Sequence, residues 1–296
     1  MKDCSILVNT CDSFEDCWDP FFRLWSLYGP GGGSPVYLNT EFKHYVHPEV
    51  PVIAMKSCAG KPLKGGRASW SQCLKWALES LDTSLVLYLQ EDYFLTGPVD
   101  EDALAGYADM MLEHAGIPCI HLTREGIPAR APSQYAGLFG SDPSYPWYVC
   151  CQASLWRRDI LLSLLRDVES AWKFELYGSM RARYSKLDFL TVDPQLFTCG
   201  EEGEKGRGYQ IIPYIFTGIV HGKWYRPVVD LFDRHGIEMD YDRRGFFNPS
   251  EKRPWTVRIA NTARNWKTWR SRRELRGMKR RFLREERQLK GKGRPA

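Results

Sequence analysis

Ser84-Leu85-Val86-Leu87-Tyr88-Leu89-Gln90-Glu91-Asp92-Tyr93 is the stretch on which the reading of this chain turns. The apolar run from Leu85 to Leu89 has the length and composition of a buried strand. It ends in an acidic pair. In an open α/β sheet, ligands collect at the carboxyl ends of strands. Carboxylate oxygens there suit a hard divalent cation such as Mn²⁺ or Mg²⁺, which bridges diphosphate oxygens. At strand spacing Glu91 and Asp92 point to opposite faces, while Gln90 shares the face of Asp92. Asp92 is therefore read as the principal ligand. The competing reading is a cap, with Asp92 holding the turn before Thr96-Gly97-Pro98.

Upstream of this strand the chain alternates in character. Ser5 to Thr10 is a short apolar strand, and Asp12 or Ser13 caps an aromatic helix from Asp16 to Tyr28. Pro35 to Asn39 and Val50 to Met55 are two further strands. Gly65-Gly66 precedes a helix from about Ala68 to Leu81, with Trp70, Cys73, Leu74, Ala77 and Leu78 on one face. The order β-α-β-β-α-β predicts an α/β nucleotide-binding half. Downstream, the expectations are a helix over 100–115, a strand over 119–122 and a loop over 127–147. After them come strand character over 148–152, a long helix over 154–170 and an apolar segment over 211–220. A charged glycine-rich loop spans Gly200 to Gly208.

Composition narrows the class. In 296 residues, 43% are hydrophobic and 14% aromatic, which excludes a disordered or collagen-like chain. Eleven tryptophans are compatible with sugar-stacking platforms or with ordinary core filling. The nine cysteines form no CxxC pair, which predicts reduced thiols in a cytosolic protein rather than a disulfide framework or zinc site. Met1-Lys2-Asp3-Cys4 runs straight into a strand, so no secretory leader is expected, and no apolar run reaches membrane-spanning length. No Gly-x-Ser-x-Gly elbow, P-loop or Gly-x-Gly-x-x-Gly follows a strand.

The order of Leu7-Val8-Asn9-Thr10-Cys11-Asp12, Val36-Tyr37-Leu38-Asn39 and Leu87 through Leu95 resembles GT-A glycosyltransferases, and is most similar to those of bacterial surface-polysaccharide gene clusters. The resemblance spans roughly residues 4–225. It departs where the family's Asp-x-Asp stands here as Gln90-Glu91-Asp92, which leaves a metal-independent variant open. It implies one α/β domain over 1–250, with a mixed sheet flanked by helices. Donor binding falls over about 1–99 and the acceptor side over 100–225. It implies transfer of a sugar from a nucleoside diphosphate sugar to a carbohydrate hydroxyl, lipid-linked or free, with Mn²⁺ or Mg²⁺. Thr10 and Asp12 then meet the base or ribose, Asn39 lies nearby, and Glu91 and Asp92 meet the donor. His221 resembles the late histidine that joins the metal with Asp92, and Lys223 neutralises the leaving diphosphate. Arg67, beside Gly65-Gly66 and a helix start, is read either as a phosphate-binding cation or as an ordinary surface arginine.

Inverting transfer needs a carboxylate to take the proton of the attacking hydroxyl. Glu175, within Trp172-Lys173-Phe174-Glu175, is the candidate, because aromatic surroundings raise a carboxyl's pKa by desolvation. The alternative pairs Glu175 with Arg181 or Arg183. Trp172 is placed to stack on the acceptor sugar. Gln152, read as opening a helix, either bonds a sugar hydroxyl or simply starts that helix. Two rivals share the fold class: a non-catalytic sugar- or nucleotide-binding module, and a nucleotidyltransferase, for which Cys11 to Asp16 lacks the glycine-rich basic loop.

Charge is split. Residues 251–296 hold 17 Lys+Arg and 4 Asp+Glu, net +13, whereas the first 250 hold 24 and 32, net −8. Trp255, Trp266, Trp269 and Phe282 interleave with the arginines of this tail, much of which reads as helix over 264–290. Three partners compete for it: an anionic membrane surface, on the inner face of the plasma membrane for a cytoplasmic enzyme; nucleic acid, including DNA whose bases are glycosylated; or the protein's own body.

Overall fold

Continuous apolar runs become the central strands of a nine-stranded mixed sheet. The computed structural model describes residues 1–31, 35–63, 67–123, 128–194, 210–250 and 268–292. Strands β1 (Cys4–Asn9), β2 (Val36–Asn39), β3 (Val52–Ala54) and β4 (Leu85–Gln90) are mutually parallel in the order β3-β2-β1-β4. Register makes their upper ends coincide: Asn9 lies level with both Asn39 and Gln90. Beyond β4 the sheet turns mixed. β8 (Ser154–Arg157) runs antiparallel between β4 and β5 (Cys119–His121), and β9 (Leu190–Val192), β7 (Leu138–Ser141) and β6 (Ala129–Pro132) complete it.

Strand alternation divides the core in two. Leu85, Leu87 and Leu89 face α1 (Trp18–Tyr28) and α3 (Glu101–Glu113), whose Trp18, Phe21, Phe22, Leu104 and Met111 fill that layer. Val86 and Tyr88 face the other layer. It holds Leu74 and Leu78 of α2 (Trp70–Glu79), Leu161 and Leu164 of α4 (Arg158–Leu164), and Phe174 and Ala182 of α5 (Ala171–Tyr184). This explains the unbroken Leu-Val-Leu-Tyr-Leu, since helices cover both faces of the strand. Each apolar side chain so buried contributes about 1.5–3 kcal/mol.

Helix starts follow capping chemistry. Ser69 and Gln72 form a reciprocal capping box at α2, and the Asp100 side chain accepts the Ala103 N–H at α3. A buried pair fixes α5: Arg181 donates to both Glu169 oxygens at 3.0 and 2.5 Å, both residues being almost wholly enclosed. Leaving either charge alone would cost about 3–5 kcal/mol.

Several expectations are corrected. The helix expected over 154–170 is the strand β8 followed by the shorter α4, because Ser154-Leu155-Trp156 is claimed by two neighbouring strands at once. Residues 148–152 form no strand; side chains satisfy their backbone instead, with Ser179 Oγ accepting the Val149 N–H and Glu175 accepting the Cys151 N–H. The loop over 127–147 contains β6 and β7. The apolar segment 211–220 bridges Leu95 only at Tyr214 before reaching β10 (Ile219–Val220), which pairs with β11 (Lys223–Trp224).

 The isolated bridge pairs Leu95 with Tyr214 in antiparallel sense. Two helices close the described chain, α6 (Val228–Arg234) and α7 (Trp269–Lys292). Gly65-Gly66, the loop over 200–208, Cys199, Trp255 and Trp266 lie outside the described residues.

Candidate active site at the end of β4

Strand order places the site. From β1 the chain leaves through α1 to β2 on one side, and from β3 it returns through α2 to β4 on the other. The crevice between the ends of β1 and β4 is thus a topological switch point, where ligands bind in open α/β sheets. Thr10 follows β1 and Glu91-Asp92 follow β4, so both flank that crevice.

The strand stops at Gln90, and the Tyr93 N–H donates back to the Gln90 carbonyl at 3.2 Å, closing a turn. Strand alternation therefore does not extend to Glu91 and Asp92, which corrects the opposite-face expectation. Both carboxyls are buried in one turn, and Glu91 feels the charge of Asp92. Gln90 looks elsewhere, donating to the Tyr88 hydroxyl at 3.2 Å.

Asp92 is held from far along the chain. Its Oδ2 accepts Thr217 Oγ1 at 2.6 Å and the Ile219 N–H at 3.1 Å, and its carbonyl accepts the Gly218 N–H at 2.9 Å. These are not the contacts of a cap on Thr96-Gly97-Pro98. Gly218 is required by close approach: a Cβ there would collide with the Phe94 ring and the Asp92 carbonyl. Burial raises the Asp92 pKa, and the Thr217 and Ile219 bonds draw it back. Burial, and then the charge of Asp92, push Glu91 well above the usual carboxylate range, with Arg244 and the Thr10 hydroxyl opposing.

Arg244 is a residue that the sequence reading missed. Its guanidinium takes both Asp16 oxygens at 2.6 and 2.5 Å, donates to the Ser13 carbonyl at 2.8 Å and lies 4.4 Å from the centre of the Phe14 ring. It fixes the loop after β1 from more than 200 residues away. Thr217 and Gly218 were missed for the same reason, since nothing local in the sequence announces such contacts.

The other expected donor contacts are placed as follows. Thr10 Oγ1 accepts the Trp18 indole N–H at 2.9 Å. The Asp12 carboxylate accepts the N–H groups of Glu41, Phe42 and Lys43 at 2.9, 3.1 and 3.2 Å, and the Asp12 N–H returns a bond to Glu41. Asp12 thus ties two loops together, rather than capping the aromatic helix. Asn39 is 0% exposed, its amide donating to Asn9 and accepting from Ser57. Both ends of its amide are thus occupied within the protein. Arg67 is exposed, next to undescribed residues.

His221 and Gly222 form the tip of the β10–β11 hairpin, both with left-handed φ (54° and 81°), the pattern of a type I′ turn. The His221 ring lies edge-on to Phe247 at 5.5 Å. Lys223 begins β11. Asp92 roots this hairpin through Ile219. Among the described residues, the group of three or more ligand-type atoms close enough to share an ion is Glu41, Cys58 and Cys73, which includes neither Asp92 nor His221. The Cys58 and Cys73 sulfurs lie 3.4 Å apart, a pairing that CxxC spacing could not reveal.

The acceptor-side candidates converge on residues 151–153. Glu175 Oε1 accepts the Cys151 N–H at 2.9 Å, the Tyr93 hydroxyl donates to the Cys151 carbonyl at 2.6 Å, and the Tyr214 hydroxyl donates to Gln152 Oε1 at 2.7 Å. Tyr93 and Tyr214 stack at 4.7 Å. Glu175 is therefore joined to the acidic turn through Cys151 and Tyr93. Burial raises its pKa, and the Cys151 N–H opposes. It does not pair with Arg181, which Glu169 engages. Gln152 precedes a strand rather than opening a helix. Trp172 is 70% exposed on α5.

No family model matches the chain, and no curated protein matches it. Solved structures do. S. aureus TarS 1–349 in complex with UDP-GlcNAc is similar at 12% identity and a TM-score of 0.43, over 68% of this chain and 59% of that one. The chain thus spans less than two thirds of the TarS fragment. M. tuberculosis glucosyl-3-phosphoglycerate synthase is similar at 12% identity and a TM-score of 0.41, over 86% and 91%. Its complex with Mn²⁺, UDP and glucosyl-3-phosphoglycerate gives 13% and 0.38, over 62% and 66%.

Proposed function

We propose that this chain is a GT-A-type glycosyltransferase, moving a hexose-like unit from a nucleoside diphosphate sugar to a carbohydrate hydroxyl with inversion. The observation that carries the reading is the buried Glu91–Asp92 pair at the switch point between β1 and β4. Two adjacent carboxyls in a buried turn, the charge of Asp92 raising the pKa of Glu91, form an oxygen donor set suited to positive charge. A hard cation fits it, and Mn²⁺ or Mg²⁺ held by Asp92 and Glu91 would supply neutralising charge for a diphosphate leaving group. In this reading His221 joins Asp92 at the metal, and Lys223 and Arg67 meet phosphate. Thr10, and the loop that Asp12 holds to residues 41–43, border the nucleotide.

Glu175 takes the proton of the attacking hydroxyl. Its raised pKa brings the carboxylate nearer to the proton affinity a general base needs at neutral pH. Trp172 and Gln152 border the acceptor.

The test is thermal unfolding of the chain with nucleoside diphosphates and their sugars, with and without Mn²⁺. A true donor at a hundred times its Kd adds about 2.7 kcal/mol of stability, which is roughly 5 °C or more for a chain of this size. The shift should vanish in the double variant Glu91→Gln/Asp92→Asn. If no nucleotide stabilises the parent chain, the proposal fails. Stabilisation without sugar transfer to any carbohydrate acceptor would leave a nucleotide-sugar-binding module instead.

A further inference from the structure

We infer that the outer face of α7 is a docking surface for an anionic lipid membrane. The helix has two faces. Its inner face belongs to the body: Ser271 and Leu275 are buried, and Phe282 lies 5.6 Å from Tyr184 of α5. Arg166 Nε meets Glu274 at 3.0 Å, Arg272 Nε donates to the Tyr177 hydroxyl at 3.0 Å, and Lys186 pairs with Glu285 at 2.7 Å. Glu274 and Glu285 are thus both neutralised on the protein side.

The outer face carries Arg273, Arg276, Arg280, Arg284 and Arg287, all exposed. Their successive spacings of three and four residues put them in one row, about 21 Å long at the helical rise. Among the described residues, no ion pair engages any of the five. Trp269, 47% exposed, and Leu283 also project outward from α7, and Trp172 and Leu176 are exposed on α5, against which α7 packs.

That combination selects the partner. A row of arginines alone would serve any polyanion. Exposed leucines have no use against phosphates in water, but they and tryptophan insert readily at a bilayer interface, where arginines pair with anionic headgroups. The net charge of −8 over the first 250 residues repels the rest of the body from such a surface, so this face would be turned toward it. No helix among the described residues is long and apolar enough to cross a membrane, so the association is peripheral. It does not depend on the proposed activity.

The experiment is co-sedimentation of the full chain with vesicles of phosphatidylcholine alone, and of phosphatidylcholine and phosphatidylglycerol in equal parts. The chain should pellet only with the anionic vesicles and be released by high salt. Arg273→Gln/Arg280→Gln/Arg284→Gln, all on the solvent face, should melt like the parent yet partition ~100-fold more weakly. Trp269→Ser should weaken binding while leaving its salt dependence intact. Failure of the parent to bind anionic vesicles, or a triple variant that pellets like the parent, overturns the inference. Binding to short duplex DNA without vesicle binding would overturn it in favour of a nucleic-acid surface. The salt series on the unmodified chain decides the electrostatic part even if a variant does not fold.

Discussion

The acidic turn after β4 encloses both of its carboxyls, whereas Glu175 of α5 is only half-buried. At the turn, Glu91 and Asp92 are both buried, and the charge of Asp92 adds to burial in raising the proton affinity of Glu91. Donors from residues 217–219 converge on Asp92, while Arg244 and Thr10 temper Glu91. Glu175 has no carboxyl neighbour of that kind; desolvation is opposed by the Cys151 amide. On the proposed reading, the first arrangement holds a cation and the second exchanges a proton, so that the two acidic sites divide binding from chemistry, as environments that treat carboxyls differently do elsewhere.

Four substitutions test this division. The largest effect is expected for Glu175→Gln, which should slow transfer about 10²–10⁴-fold, the usual contribution of a general base, while the donor-induced thermal shift stays at its parental value. Loss of both would merge the two sites into one. Next is Gly218→Ala, whose methyl group has no room beside Phe94. Overpacking costs about 1–3 kcal/mol, so denaturant midpoints should fall and Mn²⁺-dependent donor binding should weaken with them. Thr217→Val removes a charge-assisted bond to Asp92, worth about 1.5–3 kcal/mol. Its effect should be smallest at acidic pH, where Asp92 is protonated, and a pH-independent loss would contradict that.

The smallest change, with the most diagnostic sign, is Glu91→Gln. A carboxyl whose folded pKa lies above its unfolded value binds more protons when folded, so it favours folding below the unfolded pKa. That contribution is lost as pH rises through the folded pKa. Each unit of such a shift corresponds to about 1.4 kcal/mol. Metal-free Glu91→Gln should therefore be more stable than the parent at neutral pH, and the difference should vanish in acid. A variant less stable than the parent at pH 7 would show that the pair is already compensated within the protein.

Much of the parallel half was legible because β1 and β4 are covered on both faces and read as uninterrupted apolar runs. β6, with Ala129-Arg130-Ala131-Pro132, is an edge strand with mostly exposed side chains, so no apolar period marks it. β8 was absorbed into a helix because only its two partner strands distinguish it from helical Leu-rich sequence. At the site, the position of Asp92 was readable as a strand-end acid. Its bonds were not, because Thr217 and Ile219 stand more than 120 residues away. Asn39 was expected near the nucleotide from the resemblance alone, and its hydrogen bond with Asn9 was not legible because the two stand 30 residues apart.

The bond from Ile219 to Asp92 also sets an order of events during synthesis. The four parallel strands are complete once residue 90 has left the ribosome, long before residues 217–219 have been made. Until then the Asp92 carboxylate has neither Thr217 nor the Ile219 amide, and the Phe94 ring lacks the Gly218 backbone that covers it. Domains fold as units as their chains emerge, so the acidic turn reaches its final form only with residues 217–219 in place, and a chain truncated before residue 217 would lack the turn's partners.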